Sequence, residues 1–242
     1  VFAALHGAFR HAAALVATRR ARSDADERAR ELAELTTIGL ALSTERQLGS
    51  LLDLILTHAR RVTTSDAGSL YLVERDDAGV PRQLRFAMAQ NFSLPAIPFS
   101  SFVVPIDHSS LAGYVAATGE PLVIGDVYLL PDDVSYRQNR SFDDAFGYHT
   151  RSMLVLPMKS HRDEIVGVLQ LINRKRDPEM RLLSDDIVER EVLTFDESCV
   201  NRTTALASQA AVAIENGRLY EDIEKLFEGF VTAAVTAIES RD

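Results

Sequence analysis

A single amide among aliphatic residues marks the first candidate for chemistry. In the run Ile165–Asn173, Val166, Val168, Gln170 and Ile172 fall on one face by the two-residue period of a strand, and Gln170 is the only amide among them. A buried amide needs partners, which neighbouring backbone or a bound ligand would supply. Asp132, Asp133, Asp143 and Asp144 lie along the polar stretch Tyr128–His149, where paired carboxylates would suit a metal or acid–base work. No histidine stands at ligand spacing to them, and they read as solvated loop acids. His108 and His149 are available as axial ligands but read as loop residues. Cys199 is the lone cysteine, which excludes an internal disulfide, a cysteine zinc cluster and a dithiol redox pair and suits a reducing, cytoplasmic setting. No nucleophile–base or metal constellation emerges, so this chain does not read as an enzyme in its own right.

The elements that must position these residues follow from pattern. Ser152–Lys159 and Ile165–Asn173, rich in Val, Leu and Ile and joined by the polar Ser160–Glu164, read as a hairpin at the centre of a sheet covered on both faces. Ser69–Glu74 and Leu84–Ala89 form a second hairpin around the turn Arg75–Pro81. The uncharged loop Asn91–Ser101, with two prolines, reads as a lid or as a loop packed on the sheet. Phe102–Ile106 and Leu122–Ile124 are short strands flanking a helix at Leu111–Thr118, capped by Asp107 or Ser109 and ended by Gly119. Leu48–Thr63 is helical, with Ser50 as its candidate cap. Arg176–Thr194 reads as a polar excursion.

Both ends read as helix. Val1–Arg22 carries four arginines and no acid beneath a narrow apolar stripe, a pattern for pairing with another helix or for lying on a membrane. At the other end Val212, Leu219, Ile223, Leu226, Phe230, Ala233 and Ala237 make a coiled-coil-like seam, with Gly217 and Gly229 as candidate kinks. A helix over Thr203–Asp242 would extend about 60 Å, which calls for a partner, most simply a second copy of the chain. The formal charge of −9, without a basic stripe, argues against nucleic acid as a partner. No apolar run approaches the length of a membrane span. The start on Val1 suggests a fragment of something longer.

Taken in order, SLYLVERD at Ser69–Asp76, LAGYVAATGEPLVIGDV at Leu111–Val127, SMLVLPMK with IVGVLQLINRK, and ALASQAAVAIENGRLYEDI at Ala205–Ile223 resemble a GAF domain. The resemblance implies an α+β fold: a six-stranded antiparallel sheet flanked by helices, with long N- and C-terminal helices and a ligand pocket on one face. It divides the chain into a helical segment at 1–30, a sensor domain at 31–216 and a signalling helix at 217–242. It also implies a pocket lined by Ser69, Gln90, Asn91, Ile106, Leu111, Ala112, Gly113, Asp126, Tyr148, Thr150 and Gln170. In this scheme the helix start at Ser109–Ala112 meets a phosphate, while Asp126, Thr150 and Gln170 read a base edge. The pocket-supporting motif of cyclic-nucleotide binders maps onto Asn173, Arg174, Lys175 and Phe195. It departs from the family pattern at Arg174, and Cys199-Val200 stand where that pattern has Asp-Glu. Relatives that attach bilins or reduce free methionine sulfoxide need cysteines that this sequence lacks at the pocket.

The segment from Leu226 to the end resembles the lead-in to an HD-GYP cyclic-di-GMP phosphodiesterase domain. The expected function is a sensor of a small ligand, with cAMP and cGMP as candidates and no certain cofactor. It would be a homodimer through its N- and C-terminal helices and would control a C-terminal output domain in cis. The alternative is a dimerisation scaffold without a ligand.

Overall fold

Strand β1, Ser65–Arg75, is buried along nearly its whole length and organises the sheet. Its two faces have different duties. In the computed structural model, which describes residues 22, 36–42, 44–96, 101–131 and 133–239, β1 pairs antiparallel with β2 (Pro81–Asn91) on one side and β6 (Ile165–Lys175) on the other. The full strand order is β3-β2-β1-β6-β5-β4, with β3 at Val103–Pro105, β4 at Leu122–Ile124 and β5 at Met153–Lys159. This is the six-stranded antiparallel sheet that the resemblance implies. A two-residue β7, Val192–Leu193, pairs with the end of β6. The expected central hairpin is β5–β6, in register from Met153↔Ile172 to Pro157↔Val168.

The chain divides into two units, Val1–Ala41 and Leu42–Asp242. In the first, residues 36–41 are helical; the helical segment expected at 1–30 lies outside the described residues apart from Arg22. The second unit holds the sheet. Helix α1, Leu48–Thr63, buries Leu51, Leu52, Ile55, Leu56 and Ala59 at helical spacing. It packs on the sheet face that carries Gly68, where an added Cβ would sit 2.9 Å from Leu56 Cδ1 and from the Gln170 carbonyl oxygen. Ser50 lies inside α1, and Gln47 occupies the N-cap position without a side-chain bond. Helix α2, Leu111–Thr118, has the expected bounds and ends on Gly119 at φ 71°. Its cap is Ser110, whose Oγ accepts from the Gly113 N–H, and neither Asp107 nor Ser109 takes that place.

Two stretches read as irregular contain helix. Val127–Leu129 is a turn of 3-10 helix, Ser141–Phe146 forms α3 and Asp185–Glu191 forms α4. Each is only one or two turns, too short for a 3.6-residue period to stand out in sequence. The last helix, α5, runs unbroken over Glu197–Glu239. Its first part buries Leu206, Ala207, Ala210, Ala211 and Ile214, and Gly217 sits against Leu51 of α1. Helix continues through Gly217 and Gly229. Beyond Arg218 the apolar side chains of the seam, Leu219, Ile223, Leu226 and Phe230, are exposed. No described helix is long and apolar enough to cross a membrane.

Candidate functional site

The sheet face opposite α1 carries a cavity of 310 Å³. Its floor follows from the two-residue period of the strands. Ala67, Ser69 and Tyr71 on β1 share a face with Gln170 and Ile172 on β6 and with Ala89 and Asn91 on β2, and all of them line the cavity. Leu111 and Ala112 form the wall at the start of α2. Phe86 stacks on Phe102 at 4.7 Å and Tyr71 meets Phe86 edge-on at 5.4 Å, which gives the cavity an aromatic side. The roof comes from residues 137–143, with Phe142 edge-on to Tyr148.

Of the residues expected at the pocket, Ser69, Asn91, Leu111, Ala112, Tyr148, Thr150 and Gln170 line this cavity. Gln90 also lines it, but its side-chain amide is engaged by α1. Its amide nitrogen donates to Asp53 Oδ1 and Thr57 Oγ1, both at 2.8 Å, and its oxygen accepts from Arg60 at 2.9 Å. Asp126, Ile106 and Gly113 are not among the lining residues. The Asp126 carboxylate caps the 3-10 turn through the Tyr128 N–H and pairs with Arg151 at 3.5 Å. Ile106 packs on the core beneath α2. Gly113 is a packing requirement, since a Cβ there would come within 2.4 Å of the Pro105 carbonyl oxygen.

Thr150 is present but committed. Its Oγ1 donates to Asp143 Oδ1 at 2.8 Å and its N–H to Asp143 Oδ2 at 2.9 Å, while Tyr128 donates to the same Oδ2 at 2.6 Å. Asp143, read from sequence as a solvated loop acid, is therefore buried and holds the roof to the wall. Asp133 and Asp144 are exposed as expected, and Asp132 lies outside the described residues. No group of three or more potential metal ligands occurs among the described residues. His149 Nδ1 lies 2.8 Å from Asp185, and His108 lies edge-on to Tyr114.

Behind Tyr148 lies a buried polar network. Tyr148 donates its hydroxyl to Asp66 Oδ2 at 2.8 Å, and Asp66 Oδ1 takes Ser93 Oγ at 2.8 Å and Lys175 Nζ at 3.2 Å. Lys175 also donates to the Met180 carbonyl and sits 4.1 Å from the Phe92 ring centre. Asn173, left-handed at φ 55°, donates to Tyr148 and to the His149 carbonyl and accepts from the Arg151 and Ser152 N–H groups. Arg174 pairs with Asp196 at 2.8 Å, and Asp196 Oδ1 accepts from the Cys199 N–H at the start of α5. Phe195 is buried. The Asp66 connection had no signal in sequence, because its partners lie between 27 and 109 residues away.

A scan against family models matches the GAF domain over residues 47–214. The chain belongs to the GAF domain family. These domains are regulatory modules that sense small ligands. A dual 3',5'-cyclic-AMP and -GMP phosphodiesterase 11A of Takifugu rubripes is 28% identical over 193 residues, 77% of this chain and 20% of that protein. The chain thus spans about one fifth of that relative. Among solved structures, the GAF domain of a phosphoenolpyruvate-protein phosphotransferase from Coxiella burnetii superposes with a TM-score of 0.56 at 18% identity, covering 79% of this chain and 96% of that one. The GAF domain of the Acinetobacter phosphotransferase gives 0.52 at 15% identity, covering 79% and 97%. These likenesses concern the fold.

The tyrosines of the GAF cavity carry a pH signature. Burial pushes the Tyr71 hydroxyl up to about 12, and burial together with the Asp66 carboxylate raises that of Tyr148. A tyrosine with a raised native pKa holds its proton more tightly folded than unfolded. Its contribution is complete below the unfolded value of 10.0 and is lost as pH climbs towards about 12. Tyr71 alone accounts for about 3 kcal/mol across that window. The melting temperature is expected to fall steeply between these pH values, and less so in Tyr71→Phe. An unchanged profile in that variant would count against the assignment.

Proposed function

We propose that this GAF domain binds a cyclic mononucleotide in the cavity and passes the bound state along α5 to an output domain. The observation that carries the reading is the pairing of two chemistries in one hollow. Ser110 caps α2 and leaves the Leu111 and Ala112 N–H groups at the cavity wall, where a helix start favours a phosphate. Across from it, Asn91, Gln170 and the aromatic side formed by Tyr71, Phe86 and Phe102 suit a planar base. The cyclic-nucleotide phosphodiesterase relative favours the same ligand class. Asn173, Arg174, Lys175 and Phe195 support the pocket from behind and do not touch the ligand.

Residues 217–242 act as the signalling helix. The exposed row Leu219, Ile223, Leu226 and Phe230 pairs with its copy in a homodimer, to which the segment 1–30 contributes. The output is a cyclic-di-GMP phosphodiesterase of HD-GYP type, the domain that the sequence from Leu226 resembles. Ligand shifts that output only by its difference in affinity between two helix arrangements. The test is the melting temperature with cAMP and cGMP added in turn. At a hundred times its dissociation constant, a bound nucleotide stabilises by about 2.7 kcal/mol, a rise of several degrees. A flat response to both would favour the scaffold reading.

A further inference from the structure

Helix α5 leaves the sheet at one narrow point. Its run of buried side chains ends at Ile214, and Gly217, against Leu51 of α1, is the last buried residue among those described. From Leu219 onward nearly every described side chain of α5 is exposed. Glycine is the weakest helix former after proline, so the packing stops where the helix bends most readily. The next residue spans that point. Arg218 reaches back to the sheet, and its Nη2 donates to the Val73 carbonyl oxygen at 3.3 Å. The β1–β6 ladder ends at Leu72↔Gly167, so Val73 lies one residue past it. Arg218 forms no ion pair among the described residues. Arg85 and Arg75, themselves paired with Glu74 at 2.9 Å and Glu164 at 3.0 Å, repel it, while Glu215 and Glu221 attract it from farther off. Burial and the two like charges lower the pKa of its guanidinium. A half-buried cation held by one backbone carbonyl and faced by like charges is fastened, but lightly.

We propose that Arg218 is a latch across a hinge at Gly217. Bonded to Val73, it fixes the direction in which the exposed half of α5 leaves the domain; released, the helix swings about Gly217. Val73 lies two residues beyond Tyr71 on the same face of β1, and Tyr71 lines the cavity. A shift of β1 at the cavity therefore moves the carbonyl that holds the helix, and the charges of Arg75 and Arg85 favour release. This rests on the reading of α5 as the signalling helix and not on which ligand fills the cavity, so its test contains none.

The experiment measures the distance distribution between spin labels at Ser50→Cys on α1 and Glu228→Cys on α5, in the full chain diluted with unlabelled protein. Both positions are exposed, and the native Cys199 is buried away from the label. Arg218→Met removes the donor and keeps most of the stem; Arg218→Gln, too short to reach Val73, repeats the test. Each is expected to broaden the distribution at least twofold relative to the unsubstituted latch, with melting curves confirming that the variant folds. Gly217→Ala adds a Cβ that meets Leu51 Cδ2 at an ordinary 3.5 Å, so it stiffens the helix without a clash. Combined with Arg218→Met it should restore the original width. An unchanged width in both Arg218 variants would overturn the latch. A double variant as broad as Arg218→Met alone would overturn the hinge at Gly217.

Discussion

Lys175→Met is expected to destabilise the GAF domain by about 3–5 kcal/mol, the usual cost of leaving a buried charge without its partner. The methionine keeps most of the aliphatic stem beside Phe92, so the loss is chiefly electrostatic. Asp66 has no access to solvent and Lys175 almost none, so water cannot replace the missing ammonium. Tyr148 and Ser93 still donate to the carboxylate and the Arg60 guanidinium still interacts with it, but none of them replaces the ammonium at Oδ1. At about 2–4 °C per kcal/mol for a unit of this size, the melting temperature should fall by about 10 °C. The double variant Asp66→Asn/Lys175→Met removes both charges and should recover a good part of the loss. Chemical denaturation of the four proteins measures the coupling directly. A double variant as unstable as the sum of the two single ones would mean that the charges do not act as a pair.

Asn173→Ala should cost about 3–4 kcal/mol, from two separable sources. The side chain closes four hydrogen bonds, to Tyr148, the His149 carbonyl, and the Arg151 and Ser152 N–H groups. Deleting it strands buried backbone polar groups. The backbone is also left-handed at φ 55°, a conformation that asparagine tolerates and alanine resists by about 1–2 kcal/mol. Asn173→Gly removes the bonds while accepting the backbone, so glycine should be the milder change by about 1 kcal/mol. If alanine and glycine prove equal in denaturant, the strain component is wrong. Both variants should also weaken ligand binding, because Tyr148, a wall of the cavity, loses one of its two hydroxyl partners.

The fold was legible where one signal dominated. The β5–β6 hairpin is two unbroken aliphatic runs around a charged turn, and α1 repeats its leucines at helical spacing with little to compete. The need of Gln170 for a partner was legible too, since a lone amide on an apolar strand face must be satisfied, and Ser69 meets its oxygen at 3.0 Å. The phase of β2 was not legible. Gln90 and Asn91 are neighbours on a strand and must point to opposite faces, yet both are amides, and the flanking Ala89 and Phe92 do not decide between them. The decision belongs to Asp53, Thr57 and Arg60 on α1, which claim Gln90 and leave Asn91 inside. Asp143 was misread for a related reason. Its burial depends on Tyr128 and Thr150, fifteen residues before and seven after, and no local pattern announces such a contact. Asp126 sits beside a tight turn, and capping that turn through the Tyr128 N–H takes the carboxylate before a ligand can.

A crystal structure of the domain grown with 3',5'-cyclic GMP is the most direct trial of the account. The base should lie on the floor beside Asn91 and Gln170, with the phosphate against the N–H groups of Leu111 and Ala112. Nucleotide bound elsewhere on the chain, or a cavity left without it at saturating concentration, would contradict the reading of this hollow as the sensing site.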